Sequence, residues 1–152
     1  MIKITDQYFW HLIFLVFFGV LVTMGTIILD TESRIPFAEL SFFDIAIIVL
    51  ASWRLVYFMA YDTMTKFFRE QFYDLKKTGR KLTLEKPKNG PRRTLIDLIT
   101  NPSSLGLWMT ASVIFFYLIT PYALYPLIFL AFSAVVTMIQ LGIDAVDHTQ
   151  EK

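Results

Sequence analysis

Asp62-Thr-Met-Thr-Lys-Phe-Phe-Arg-Glu-Gln-Phe-Tyr-Asp-Leu-Lys-Lys-Thr-Gly-Arg-Lys-Leu-Thr-Leu-Glu-Lys-Pro-Lys-Asn-Gly-Pro-Arg-Arg-Thr-Leu-Ile-Asp-Leu-Ile-Thr-Asn-Pro-Ser-Ser104 is the stretch whose reading decides the fold. It holds ten of the chain's fourteen Lys and Arg, and long apolar runs lie on both sides of it. A polar, basic island between apolar blocks is the pattern of a membrane protein whose loop stays on the cytoplasmic side. The expected fold class is therefore an all-α integral membrane protein. Four transmembrane helices are joined by a cytoplasmic amphipathic helical hairpin, and residues 1–152 form a single membrane domain.

Upstream, Tyr8 to Leu29 is a run of 22 residues without a formal charge. About 20 apolar residues cross a ~30 Å hydrocarbon core, so this run is the first span. It exceeds the about 7–15-residue apolar core of a signal peptide, and no A-x-A cleavage site follows it. Asp30 to Leu40 is an acidic connector that Pro36 keeps from being helical throughout. Ser41 or Asp44 can cap the second span, residues 42–61, by accepting from N–H groups of its first turn.

Within the island, Met64, Phe67, Phe68, Phe72 and Leu75 recur at helical spacing. They predict one amphipathic helix from Asp62 to Lys77, ended by Gly79 and lying in or below the headgroup layer. Pro87, Asn89-Gly90 and Pro91 mark a loop. Residues 94–100 read as a short amphipathic turn or two. Asn101-Pro102 reads as a cap followed by proline at the first helical position. The third span is then residues 103–119 and the fourth 125–143, with a tight turn at Thr120-Pro121-Tyr122. The basic segment thus runs over residues 62–102.

Charge fixes the orientation. The 62–104 segment carries ten basic and five acidic residues, the 30–44 connector one Arg, and the 120–124 turn none. Lys and Arg in short loops stay inside, so the island and both termini are expected to be cytoplasmic. Lys76, Lys77, Arg80, Lys81, Arg92 and Arg93 are the expected contacts to anionic lipid or to a partner. Polybasic segments gain about 1 kcal/mol per residue beside such a leaflet.

Arg54 is the one formal charge well inside a span, about seven residues (~10 Å) from its cytoplasmic end. At depth a charge costs roughly 2.5–3.5 kcal/mol on insertion scales. Three readings stand: the side chain snorkels to the headgroups, it clamps the bundle, or it belongs to a substrate or ion site. The clamp or ligand set would draw on Asp62, Trp108, Thr110 and Gln140, with Thr137, Asp97 or Asp144 as further partners.

With these residues in hand, the chain resembles the bacterial membrane family called domain of unknown function 1360, which includes sporulation-associated proteins. Its pattern is an Ala-Thr-x-Arg-Leu run leading to an acidic residue, a basic loop, and a Cys-Pro-x-Cys-x-Gly-x-Trp motif opening the next helix. Ala51-Ser52-Trp53-Arg54-Leu55 and Asp62 are similar to the first part. Asn101-Pro102-Ser103-Ser104-Leu105-Gly106-Leu107-Trp108 is similar to the second, with Asn101 and Ser104 in place of both cysteines. The resemblance covers roughly Asp44 to Gln140 and implies a membrane location but no activity. If the cysteine pair serves metal or redox chemistry, this chain lacks it. If the pair only caps the helix, Asn101 and Ser104 do so with side-chain oxygens.

No reaction is legible. The chain has no cysteine, hence no disulfide, thiolate nucleophile or thiolate metal site. His11 and His148 lie far apart and read as interfacial positions rather than metal ligands. Asp144 and Asp147 read as a solvated helix end. Lys86 to Arg93 has no Gly-rich loop between strand and helix, so phosphate cradling is not indicated. Ala131, Ser133, Ala134 and Thr137 are small residues suited to close helix packing. No cofactor, metal or nucleic acid is expected. The expected function is a non-enzymatic accessory or scaffold protein of the bacterial cytoplasmic membrane, partnered by membrane lipids and by another membrane protein or itself. The alternative is an oligomeric small channel or transporter subunit. The third and weakest reading is a membrane enzyme built on Arg54, Asp62, Asp97 and Ser104.

Overall fold

Apolar runs dictate the main elements. The computed structural model describes residues 2–78 and 81–150, and places side chains for all of these but 2–6, 75–78, 81–83 and 148–150. In chain order the elements are α1 (Ile2–Glu32), α2 (Phe42–Tyr61), α3 (Lys66–Glu70), β1 (Asp74–Thr78), β2 (Lys81–Glu85), α4 (Pro91–Thr100), α5 (Pro102–Ile119) and α6 (Leu124–Gln150). Short 3-10 turns at Phe37–Glu39 and Pro121–Ala123 complete the connectors. Among the described residues, four segments are long and apolar enough to cross a membrane: Gln7–Glu32, Phe42–Tyr61, Pro102–Ile119 and Pro121–Asp147. The protein is an all-α membrane protein with one small β-hairpin.

The hairpin corrects the helix expected over Asp62 to Lys77. Only Lys66–Glu70 is helical there, and β1 pairs antiparallel with β2 in the register Asp74↔Glu85 to Thr78↔Lys81. The reason lies on either side of α3. Asp62 accepts the Met64 amide at 3.0 Å, an Asx turn that ends α2. Downstream, Lys81-Leu-Thr-Leu-Glu85 alternates polar and apolar, the period of a strand. The expected terminator Gly79 lies outside the described residues, as do Glu151 and Lys152. The turn or two expected at 94–100 is a longer helix, α4, begun by Pro91 at its first position. Gly90 precedes it at φ 103°, a left-handed conformation that only glycine adopts without strain. Asp144 and Asp147, expected in a polar tail, continue α6 as helix.

The chain divides into two compact units, Met1–Ile27 with Val56–Trp108, and Ile28–Leu55 with Met109–Lys152. In the second unit, Ile48, Ala51, Val113, Tyr117, Leu118 and Leu127 form the core, with Leu29, Ile35 and Leu40 packed on it. Small residues Ala51, Ser52, Ala131 and Ala134 are buried, which lets helices approach closely. Lipid tails are as apolar as leucine, so packing and hydrogen bonds must hold such a core. Ser41 supplies one such device at the start of α2. Its amide and hydroxyl donate to Asp44 Oδ2 at 2.8 and 2.7 Å, and the Asp44 amide donates back to Ser41 Oγ at 3.3 Å. This capping box satisfies N–H groups that the first turn leaves open. The other carboxylate oxygen of Asp44 accepts from the Tyr117 hydroxyl of α5. The Arg34 amide closes the connector onto the Leu118 carbonyl at 2.9 Å.

In the first unit, Ile96 and Ile99 of α4 and Leu105 of α5 are buried. Asn101 serves two helices. Its amide donates to Asp97 O at the end of α4, and its side-chain oxygen accepts the Ser103 amide at the start of α5. The end of α2 is capped by Thr65, which donates to Phe58 O at 2.6 Å, and by Arg69, which donates to Met59 O at 2.8 Å. A cation on the last carbonyls of a helix also meets its dipole favourably.

Candidate functional site

The first unit gathers His11, Lys86 and Arg93 around Asp97. Helix α4 is amphipathic: Thr94, Ile96 and Ile99 are buried, while Arg93 and Asp97 stand one turn apart on its open side. Arg93 Nε lies 3.4 Å from Asp97 Oδ2, and Nη1 donates to Pro87 O at 3.3 Å. Lys86 Nζ, just past β2, lies 3.5 Å from Asp97 Oδ1. From α1, His11 Nε2 stands 4.0 Å from Asp97 Oδ2, and its Nδ1 sits 2.8 Å from Gln7 O. Each pair is partly exposed and worth only about 0.2–1 kcal/mol. Lys86 and Arg93 fasten the basic loop and α4 to one carboxylate, which His11 of α1 approaches.

Beside this node lies a groove of about 260 Å³. His11, Thr94, Asp97, Asn101 and Ser104 line its polar part. Phe14 and Phe18 of α1 and Leu107 and Trp108 of α5 line its apolar part. The Trp108 ring packs on Phe18 and Phe17, with centroids 4.8 and 6.1 Å apart. Gln7 Nε2 donates to Thr94 Oγ1 at 3.0 Å, while Gln7 Oε1 is buried with no hydrogen-bond partner among the described residues. No group of three or more His, Asp or Glu placed to hold a metal occurs among the described residues.

The residues expected to surround Arg54 are distributed over both units. Asp62 and Trp108 belong to the first, Arg54, Thr110 and Gln140 to the second. Asp62 makes the turn after α2, Thr110 is half-buried on α5, and Gln140 is exposed on α6. Arg54 Nε donates to Ser133 Oγ of α6 at 2.9 Å. Ser133 counts in the sequence only as a small packing residue, and its part in this bond was not foreseen. One turn on, Thr137 donates to the Ser133 carbonyl at 2.8 Å.

Of the expected lipid or partner contacts, Arg93 is held by Asp97 and Arg92 Nη1 stands 3.7 Å from Asp74 Oδ1. Arg80 and the side chains of Lys76, Lys77 and Lys81 lie outside the described residues. Asn101 caps α5 as expected, and Ser104 lines the groove. His11 is the contributor that sequence reasoning underrated. The available signal was its place one turn inside an otherwise apolar run.

The sequence model of the family described as protein of unknown function DUF1360 matches residues 47–143, more than half of the chain. The chain belongs to this family. The match takes in Arg54, Asp97, Asn101, Ser104, Trp108 and Ser133, and leaves out His11 and the rest of α1. Seven of the eleven groove-lining residues therefore lie within the family match, and the other four belong to α1. No curated protein and no solved structure matches the chain.

Proposed function

We propose that this DUF1360 protein is a non-enzymatic accessory or scaffold protein of the bacterial cytoplasmic membrane. Its basic segment 62–102 faces the cytoplasm, with both termini on the same side, and docks on anionic lipid and on a partner membrane protein. The observation that carries this reading is the anchoring of the segment at both ends. Thr65 and Arg69 tie it to the end of α2, and Asp97 holds Lys86 and Arg93. A loop fixed in this way offers a defined surface rather than a solvated tether. Met64 and Phe67 are strongly exposed beside Lys66, a mix suited to the headgroup layer.

The test is affinity purification of the full chain from native membranes with quantitative mass spectrometry. Wild type is compared with a variant in which Lys81, Lys86, Lys88, Arg92 and Arg93 are replaced by Gln. The proposal predicts a membrane protein recovered in near-stoichiometric amount with wild type and lost with the variant. A homo-oligomer that carries no other protein and conducts ions in liposomes would overturn it in favour of a channel.

A further inference from the structure

We infer that the groove between α1 and α5 binds one phospholipid whose headgroup carries a primary amine. The inference stands on the groove itself and is independent of what docks on the basic segment.

Polarity along the groove runs in one direction on both walls. On α1, His11 precedes Phe14 by about one turn and Phe18 by two, roughly 4.5 and 10.5 Å at 1.5 Å per residue. At the start of α5, Ser104 precedes Leu107 and Trp108 by about one turn, and the cap Asn101 precedes them by nearly two. A ligand lying along both walls must be polar at one end and apolar at the other. Both walls open segments long and apolar enough to cross a membrane, which sets the polar end at headgroup depth. The groove falls below the about 300–1,000 Å³ usual for a site that encloses a whole small molecule. It suits part of an amphiphile whose remainder stays in the bilayer.

The charges select the headgroup. One carboxylate, Asp97, lines the polar end, and its ion-pair partners Lys86 and Arg93 lie 3.5 and 3.4 Å from it, just beyond the lining residues. A zwitterion of ammonium and phosphate is the complement of that pattern. The ammonium donates to Asp97, and the phosphate meets Arg93 and Lys86, which carry more donors than Asp97 and Pro87 accept. A glycerol headgroup brings a phosphate that competes with Asp97 for Lys86 and Arg93 and offers no cation in exchange. A trimethylated amine has no N–H to donate. Trp108, Phe18 and Phe14 then carry the first part of one acyl chain.

The full chain is reconstituted in nanodiscs containing equal amounts of phosphatidylethanolamine, phosphatidylglycerol and phosphatidylcholine, and retained lipids are counted by native mass spectrometry. One retained lipid is expected, with about tenfold preference for phosphatidylethanolamine over each of the others, the scale of one charge-assisted hydrogen bond. Asp97→Asn should reduce that preference to less than about twofold at unchanged helix content. Ser104→Trp, which fills the groove, should lose the lipid altogether. Equal retention of the three lipids by wild type, or a preference for phosphatidylglycerol, overturns the inference even if either variant fails to fold. So does retention by a folded Ser104→Trp variant equal to that of wild type.

Discussion

The Tyr117 hydroxyl of α5 donates to the carboxylate of Asp44, the residue that closes the capping box at the start of α2. Tyr117 is 2% exposed, so its hydroxyl has little access to any other acceptor. One carboxylate thus ends a helix and joins it to a second. Replacing Tyr117 by Phe keeps the ring and removes the bond. It should cost about 1 kcal/mol, the scale of a single hydrogen bond in a membrane protein. Asp44→Ala should cost more, because it also removes a cap worth about 0.5–2 kcal/mol. Reversible unfolding in mixed micelles measures both. Equal losses would show that the cap and the cross-helix bond are not separate contributions.

Arg54 and Ser133 form the corresponding bond between α2 and α6. Ser133→Ala removes the acceptor and keeps the charge, whereas Arg54→Leu removes the charge and its desolvation cost. The single changes should therefore not add. A double-mutant cycle on unfolding free energy should give a coupling of about 0.6–1.7 kcal/mol, the average and upper values for such pairs in a membrane protein. Zero coupling would mean that Arg54 is held by other contacts.

The β-hairpin has a direct chemical test, since the chain has no native cysteine. Lys76 and Thr83 are opposite each other in the register. Directly opposed residues place their Cβ atoms about 4.5–5.5 Å apart, close enough for mild oxidation to join them. A Lys76→Cys, Thr83→Cys chain should cross-link, and a Lys76→Cys, Glu85→Cys chain should not. Cross-linking of the second pair but not the first would show a different register.

Asp97 holds the loop before α4 through Lys86 and Arg93. Asp97→Asn should loosen that loop without unfolding the spans, because local opening has its own free energy. Limited trypsin digestion in proteoliposomes should cut between Lys86 and Arg93 several-fold faster in the variant, for a loss of about 1 kcal/mol. An unchanged rate would place the restraint elsewhere.

How much of this was legible in the sequence depended on whether the cause was local. The second span matches α2 at Phe42–Tyr61, because run length and a Ser-x-x-Asp cap are written side by side. Asn101-Pro102 announced α5 for the same reason. The Phe67, Phe68, Phe72 and Leu75 spacing misled, since helical periodicity cannot report a competing cross-strand partner. Leu82-Thr83-Leu84 carried that signal in a run too short to outweigh it. The depth of Arg54 could be read, but not which way around α2 it points, so Ser133, 79 residues away, was missed as its partner. The groove joins residues from α1, α4 and α5, and only the folded chain brings His11 to Asp97.

The central claim is that the segment from Asp62 to Ser104 is a cytoplasmic platform of a four-span membrane protein. Single cysteines introduced by Glu39→Cys, Lys88→Cys, Tyr122→Cys and Asp147→Cys test it with a membrane-impermeant maleimide, applied to intact spheroplasts and to inverted vesicles. Glu39→Cys and Tyr122→Cys should label only in spheroplasts, and Lys88→Cys and Asp147→Cys only in inverted vesicles. Labelling of Lys88→Cys from outside, or of Glu39→Cys and Lys88→Cys from the same side, would contradict the account.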